Sequence, residues 1–254
     1  MPRLLRPVTA TRYVEPLREG GSLPGLMEAS DEGLYVVKLR GAGQGIAPLV
    51  AEVVVGELAR SLGFRMPELV TVQIDVELAR AEPDPEIQEL VAASAGVNLG
   101  VDFLPGALPF SPAALSRIDP ELAADIVWLD ALTTNVDRSP RNPNLLMWHG
   151  ATWLIDHGAA LYRQHGLQPL SDSANAAFPL IADHVLLPVA SSIADADARL
   201  ADAARVAAPQ AIELVPEEWL GSDPGARRAD LLAFFADRLS PLRTFAEEAD
   251  DARR

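Results

Sequence analysis

The chain has 254 residues, 49% of them hydrophobic, with a formal net charge of −15 and no cysteine. This composition can supply the core of one large domain or two smaller ones, while the lack of cysteine excludes disulfides, thiolate catalysis and cysteine-based metal sites. The negative charge disfavours general affinity for nucleic acids or anionic membranes, and no apolar run approaches the roughly 20 residues of a membrane span, so we expect a cytoplasmic protein.

The first forty residues are predicted to form strands broken by turns. The runs "TATRYVEPL", "LMEASDEG" and "LYVVKL" indicate an antiparallel meander, and the glycine-rich "REGGSLPG" separates the first two. Lys38, near the end of the third run, is the only lysine in a chain that otherwise uses arginine for positive charge. Taken alone, a lysine on a strand is normally a solvated residue, so any further role for Lys38 depends on motifs elsewhere in the chain.

Alternating elements follow as far as residue 106. Apolar residues at helical spacing predict a helix over residues 49–62 that ends at Gly63. The run "PELVTVQIDV" alternates like a strand, "DPEIQELVAASAG" predicts a helix that begins at Asp84 and Pro85, and "VNLGVDFLPG" predicts another strand. The predicted order of this region is therefore β, β, β, α, β, α, β.

From Ser111 onward the pattern is mostly helical. The run "DPELAADIVWLDALTTNV" predicts a helix with Asp119 and Pro120 as its start signal. A polar loop, "DRSPRNPN", comes next, and "LLMWHG" and "TWLIDHG" predict a β-hairpin with its turn at residues 149–151. The remainder is predicted to be helical, and we expect the acidic C-terminal tail to be loose.

Three polar side chains in this second region are candidates for a functional site. Asp137 begins the polar loop, Asn144 stands directly before an apolar strand, and Asp156 follows the next strand. A loop and a hairpin arranged in this way could bring two carboxylates and an amide into one small volume. Such hard oxygen ligands suit Mg²⁺, which usually keeps water and substrate phosphates in its shell. The pattern therefore favours phosphoryl transfer. The four histidines lack ligand spacing, and we expect them to be structural.

Residues 133–161 resemble the catalytic core of the HipA-like kinases, which belong to the protein-kinase-like superfamily with the phosphatidylinositol 4-kinases. "NVDR" resembles the catalytic loop, "NLLM" the asparagine and strand that follow it, and "LIDHGAAL" the Asp-Gly metal motif. The resemblance implies that Asp137 positions the acceptor hydroxyl and that Asn144 and Asp156 bind Mg²⁺. The common family spacing D-x-x-x-x-N selects Asn142 instead, so Asn142 stays an alternative to Asn144.

The resemblance also assigns roles in the first region. It implies that Lys38 contacts the phosphates of ATP and that a glutamate of the following helix pairs with this lysine. That helix offers Glu52 and Glu57, and Glu52, near the helix start, fits the family better. The glycine-rich segment would cover the phosphates with the backbone N–H groups of Gly20, Gly21 and Ser22, although it departs from the G-x-G-x-x-G pattern. "GVDFLPGAL" resembles a kinase hinge that contacts adenine through the backbone of Asp102, Phe103 and Leu104.

The resemblance implies an α+β, two-lobed protein-kinase-like fold with the nucleotide between the lobes. Residues 1–106 would form a small mixed antiparallel-β N-lobe and residues 107–254 a mainly helical C-lobe. The cofactors would be ATP and Mg²⁺, and the acceptor an alcohol, with Ser or Thr of a protein as the family expectation. Two alternatives stay open, a pseudokinase or nucleotide-binding regulatory module without transfer, and a small-molecule kinase.

Overall fold

The computed structural model describes residues 4–17, 23–43, 45–80, 82–165 and 168–254. Contacts divide the chain into two compact units, residues 1–49 with 67–105 and residues 50–66 with 106–254. The predicted boundary after residue 106 lies one residue from the last of these divisions. Residues 50–66, however, group with the second unit, where the N–H of Leu154 donates to the Arg65 carbonyl at 2.9 Å.

The first unit is built on a closed five-stranded barrel. Its strands are β1 (Arg6–Pro16), β2 (Gly25–Ala29), β3 (Leu34–Lys38), β4 (Leu69–Ile74) and β5 (Gly96–Asp102), in the spatial order β1-β2-β3-β5-β4. The predicted antiparallel meander is confirmed, since β1 pairs with β2 and β2 with β3 in antiparallel fashion. The parallel pairing of β1 with β4, which closes the barrel, was not predicted.

Apolar side chains fill the barrel, with Met27, Val37 and Val70 completely buried. Gly100 on β5 leaves the space that this packing needs, because a Cβ at this position would lie 2.6 Å from a methyl carbon of Val72. A short helix, α2 (Val76–Ala79), and then α3 (Pro85–Ala93) connect β4 to β5. Helix α3 begins as predicted, with the Asp84 side chain accepting from the N–H of Glu86 at 3.0 Å.

Helix α1 covers Ala47–Ser61, close to the predicted range. Past its end the N–H of Phe64 donates to the carbonyl of Ala59 and the N–H of Gly63 to that of Arg60, both at 3.1 Å. This closure needs a left-handed residue, and Gly63 supplies it with φ +92°. The predicted helix stop at Gly63 is therefore confirmed.

The second unit contains a three-stranded sheet and most of the helices of the described residues. The strands are β6 (Leu108–Pro109), β7 (Leu145–Trp148) and β8 (Ala151–Leu154), and the helices that follow are α4 (Pro120–Leu132), α5 (Ile193–Glu213), α6 (Pro224–Arg238) and α7 (Thr244–Arg253). Helix α4 begins as predicted, with the Asp119 side chain accepting from the N–H groups of Glu121 and Leu122. The mixed α+β composition is confirmed.

The expectation of a loose C-terminal tail is wrong. Residues Thr244–Arg253 form α7, and Phe245 at its start is buried with its ring centroid 5.7 Å from that of Trp128. One apolar face of an otherwise acidic helix is enough to hold it against α4. No helix within the described ranges is long and apolar enough to cross a membrane.

Candidate active site

The β7–β8 hairpin brings Asn144 and Asp156 to its open end. The strands pair with Leu145 opposite Leu154, and the N–H of Ile155 donates to the Asn144 carbonyl at 3.1 Å. At the closed end, His149 and Gly150 both have positive φ, as a two-residue hairpin turn requires. The predicted hairpin is thus confirmed, and its geometry places the two candidate metal ligands next to each other.

Backbone strain is concentrated in this part of the chain. Five of the eight described non-glycine residues with positive φ lie between residues 134 and 161, namely Thr134, Asn144, His149, Asp156 and Leu161. Such conformations cost free energy and persist only where the surroundings enforce them, typically at functional sites. Here the N–H of Leu161 donates to the Thr133 carbonyl at 2.7 Å, which ties the segment after Asp156 to the end of α4.

Asp137 is held by two carboxamides that donate to the same oxygen. Its Oδ2 accepts from Nδ2 of Asn142 at 2.7 Å and from Nδ2 of Asn144 at 3.2 Å. Burial raises the pKa of Asp137, the hydrogen bond from Asn144 opposes that rise, and the charge of Asp156 adds to it. A carboxylate whose pKa is raised by the charge of a second carboxylate lies in a site that a cation would stabilise.

Both candidate asparagines therefore contact Asp137, and they differ in how firmly they are fixed. Asn142 is exposed and belongs to a tight turn in which it and Ser139 exchange backbone hydrogen bonds of 3.1 Å. Asn144 is buried and its carbonyl is engaged by the hairpin. An amide that donates its NH₂ group to Asp137 turns its oxygen in another direction, where it can serve as a ligand. Asn144 is the better anchored of the two.

Sequence reasoning missed a buried polar cluster beneath these residues. Nε of Arg138 donates to Oδ2 of Asp130 at 2.5 Å, and both side chains are fully buried. His184 lies against the same oxygen, with Nε2 at 2.9 Å. A usable signal for Asp130 was present, because it stands among consecutive apolar residues of α4. His184 carries no comparable signal in the sequence.

The described residues contain no group of three or more His, Cys, Asp or Glu side chains that could hold a metal ion. The candidate donor set is of another kind, with the carboxylate of Asp156 supplemented by the carboxamide oxygen of Asn144 or Asn142. Oxygen donors of this kind fit a hard cation such as Mg²⁺.

In the first unit, Lys38 is the last residue of β3, is half-buried, and pairs with Leu99 of β5. The N–H of Asp102 donates to the Glu68 carbonyl at 2.8 Å, and that of Phe103 to the Leu34 carbonyl at 2.9 Å. The barrel therefore already uses the N–H groups of two of the three residues whose backbone is predicted to contact adenine. The predicted phosphate-covering residues Gly20, Gly21 and Ser22 lie outside the described residues.

The candidate glutamates lie on the part of α1 that groups with the second unit. Glu52 is almost completely buried. Glu57 accepts from Nε of Arg60 at 3.1 Å, so its carboxylate already has a partner on the same helix.

Comparisons with known proteins place these features in context. A family model described as HipA-like kinase matches residues 11–244. The crystal structure of a Helicobacter pylori proinflammatory kinase, CtkA, is similar with a TM-score of 0.57 at 15% sequence identity, covering 95% of this chain and 96% of that chain. At this identity the likeness shows a shared fold. Among proteins with curated descriptions, none matches the chain significantly.

Proposed function

The chain belongs to the HipA-like kinase family and is a kinase-type phosphotransferase, and from this premise we propose that it transfers the γ-phosphoryl group of ATP to a Ser or Thr hydroxyl of a protein with the help of Mg²⁺. In this proposal the first unit serves as a kinase N-lobe and the second as a C-lobe. The supporting observation is the arrangement of Asp137, whose carboxylate is oriented by two carboxamides and affected by the charge of Asp156.

Asp137 is the proposed group that positions the acceptor. Its Oδ2 already accepts from Asn142 and Asn144, so Oδ1 is the oxygen that would face the hydroxyl. Partial burial raises the pKa of this carboxyl, which makes the carboxylate a stronger proton acceptor than a fully solvated one. Kinase catalysis depends mainly on positioning and charge stabilisation, and a carboxylate held by two hydrogen bonds is suited to the first of these tasks.

Asp156 and Asn144 are the proposed metal ligands, with Asn142 as the alternative amide. These residues would hold Mg²⁺, which would supply positive charge to the phosphates. The left-handed backbone of Asn144 and Asp156, with φ of +48° and +55°, and the hairpin hydrogen bond from Ile155 to Asn144 fix the backbone of both residues before any ligand arrives. This preorganisation avoids ordering them during the reaction.

The remaining proposed roles rest on the family resemblance. Lys38 would contact the phosphates and Glu52 would pair with it. Gly20, Gly21 and Ser22 would cover the phosphates, and the hinge would contact adenine. Because the N–H groups of Asp102 and Phe103 are used within the barrel, we assign the N–H of Leu104 as the donor to adenine.

The test is phosphate transfer from γ-labelled ATP with Mg²⁺, to the protein itself and to a Ser/Thr peptide library. Asp137→Asn is expected to lower kcat by about 10²–10⁴-fold, the range for loss of a positioned proton acceptor, and Asp156→Asn should weaken the Mg²⁺ dependence. Asp202→Asn is the matched control, because Asp202 is an exposed carboxylate of α5 that pairs with Arg205 of the same helix.

Wild-type turnover in both site variants would contradict the assignment. Nucleotide binding by the wild type without any transfer would indicate a regulatory module instead. Transfer to metabolites but not to peptides would indicate a small-molecule kinase.

A further inference from the structure

One buried carboxylate accepts hydrogen bonds from three side chains in two segments around the candidate site. Asp130 lies on α4, and its Oδ1 accepts from Nδ2 of Asn135 at 3.0 Å. Its Oδ2 accepts from Nε of Arg138 at 2.5 Å and from Nε2 of His184 at 2.9 Å. Asn135 and Arg138 lie in the loop directly after α4, and His184 lies 54 positions beyond Asp130 in the chain.

The hydrogen bonds fix which nitrogen of His184 carries its proton. The N–H of Leu186 donates to Nδ1 at 3.0 Å, so the neutral ring has its hydrogen on Nε2 and donates it to Asp130. Burial lowers the pKa of His184, which favours this neutral form. Burial alone would raise the pKa of Asp130, but the nearby Arg138 charge and the His184 hydrogen bond lower it overall. The cluster is therefore an Arg–Asp ion pair with one neutral histidine donor.

Arg138 connects the buried cluster to the candidate catalytic residues. It directly follows Asp137 in the chain, and its Nη1 donates to the carbonyl of Asn144 and lies 3.5 Å from that of Ile155. Its own carbonyl accepts from the N–H of Val185 at 3.0 Å. One guanidinium thus contacts the residues that flank both strands at the open end of the hairpin. The segment that carries His184 holds the Arg138 backbone.

We propose that Asp130 and His184 are positioning residues for phosphoryl transfer and act through Arg138 on Asp137, Asn144 and Asp156. The proposal rests on the proposed function of that site. Without the hydrogen bond from His184, Asp130 still pairs with the buried Arg138, but the orientation of its carboxylate is less restricted. The guanidinium then gains freedom to rotate away from the Asn144 carbonyl, and the hairpin opening loses a fixed contact. Partners of this kind, one step removed from a metal ligand, typically affect activity 10–100-fold.

His184 gives the sharper test, because its removal leaves no buried charge unpaired. His184→Phe retains the ring volume and removes both hydrogen bonds, whereas His184→Gln can place an amide N–H near the position of Nε2. We expect His184→Phe to lower kcat for Mg²⁺-dependent ATP turnover about 10–100-fold with an unchanged KM for ATP. We expect His184→Gln to recover most of that loss.

A second measurement does not depend on activity. Hydrogen exchange of the backbone amides in residues 143–156 should be faster in His184→Phe than in wild type, while exchange in the barrel strands stays the same. The hydrogen bond from Ile155 to the Asn144 carbonyl is the most direct reporter. Unchanged exchange together with unchanged kcat would overturn the proposal.

The matched control is Asp197→Asn, which disturbs other polar contacts of the same unit. Asp197 accepts from Nε1 of Trp128 at 2.9 Å and from Nε of Arg243 at 2.7 Å. We expect it to lower thermal stability and to leave kcat unchanged, and an equal loss of kcat in this variant would overturn the proposal. If wild type lacks turnover, the proposed function fails, and hydrogen exchange alone decides the positioning role.

Discussion

The barrel of the first unit and the hairpin site of the second are stabilised in different ways. In the barrel, many apolar side chains each contribute part of the stability. The buried side-chain amide of Asn98 donates to the carbonyls of Ser94 and Gly96 and accepts from the N–H of Arg40. At the site, a single ion pair between Asp130 and Arg138 holds several backbone segments together. Packing spread over many side chains tolerates the loss of one contact better than an arrangement that depends on one ion pair. The barrel and the hairpin site should therefore respond differently to substitution.

The largest expected loss of stability follows from breaking the ion pair between Asp130 and Arg138. Asp130→Asn leaves the Arg138 charge buried without its carboxylate, and we expect the free energy of unfolding to fall by about 3–5 kcal/mol. Urea unfolding followed by circular dichroism measures this loss. A decrease of less than about 1 kcal/mol would show that these segments do not depend on the ion pair.

The stabilisation by the Asp130–Arg138 pair should depend on pH. The pKa of Asp130 is lower in the folded than in the unfolded chain, so its stabilisation is complete above the unfolded pKa and is lost as the pH falls toward the folded one. The stability difference between wild type and Asp130→Asn should therefore shrink as the pH is lowered from 6 toward 3. A difference that grows on acidification would contradict the assignment.

A core substitution in the barrel provides the counterpart. Leu99 is fully buried on β5, and Leu99→Ala should cost about 2–5 kcal/mol through lost burial and the cavity it leaves. The distinguishing expectation is that hydrogen exchange in residues 143–156 stays at the wild-type rate. Faster exchange there would show that the barrel and the hairpin opening are coupled.

The smallest expected change in stability occurs at Lys38. Lys38→Arg keeps the charge on a half-buried strand residue, so the melting temperature should barely move, whereas ATP turnover should fall at least about tenfold because the planar fork cannot replace a compact ammonium. A fully active Lys38→Arg variant would leave the barrel without a catalytic lysine. The result would also show whether scaffold and chemistry are separable within the first unit.

Features specified by neighbouring residues were predictable from the sequence. The helix starts at Asp84 and Asp119, the helix stop at Gly63 and the hairpin turn at His149 and Gly150 each depend on residues a few positions apart. The roles proposed for Asp137 and Asp156 came from a contiguous motif, and the structure brings Asp137, Asn142 and Asn144 into contact.

Features that join distant parts of the chain were not predictable. The parallel pairing of β1 with β4 links residues more than 60 positions apart, and no local pattern specifies which strand closes a barrel. Asp130 and His184 are 54 positions apart, and an isolated histidine in a loop gives no indication of a buried partner. The acidic composition of residues 244–253 concealed the apolar face of α7, because charge dominates a pattern in which only a few residues are buried.

Closure of the barrel by its first strand has a consequence for how the chain avoids self-association. Pairing with β1 covers the backbone groups along one side of both β2 and β4. A fragment that began after β1 would expose these two strand edges, and unpaired edges are templates for pairing with another copy of the chain. The N-terminal strand therefore contributes solubility as well as structure, and an N-terminal affinity tag is compatible with this fold only if it leaves β1 free to pair.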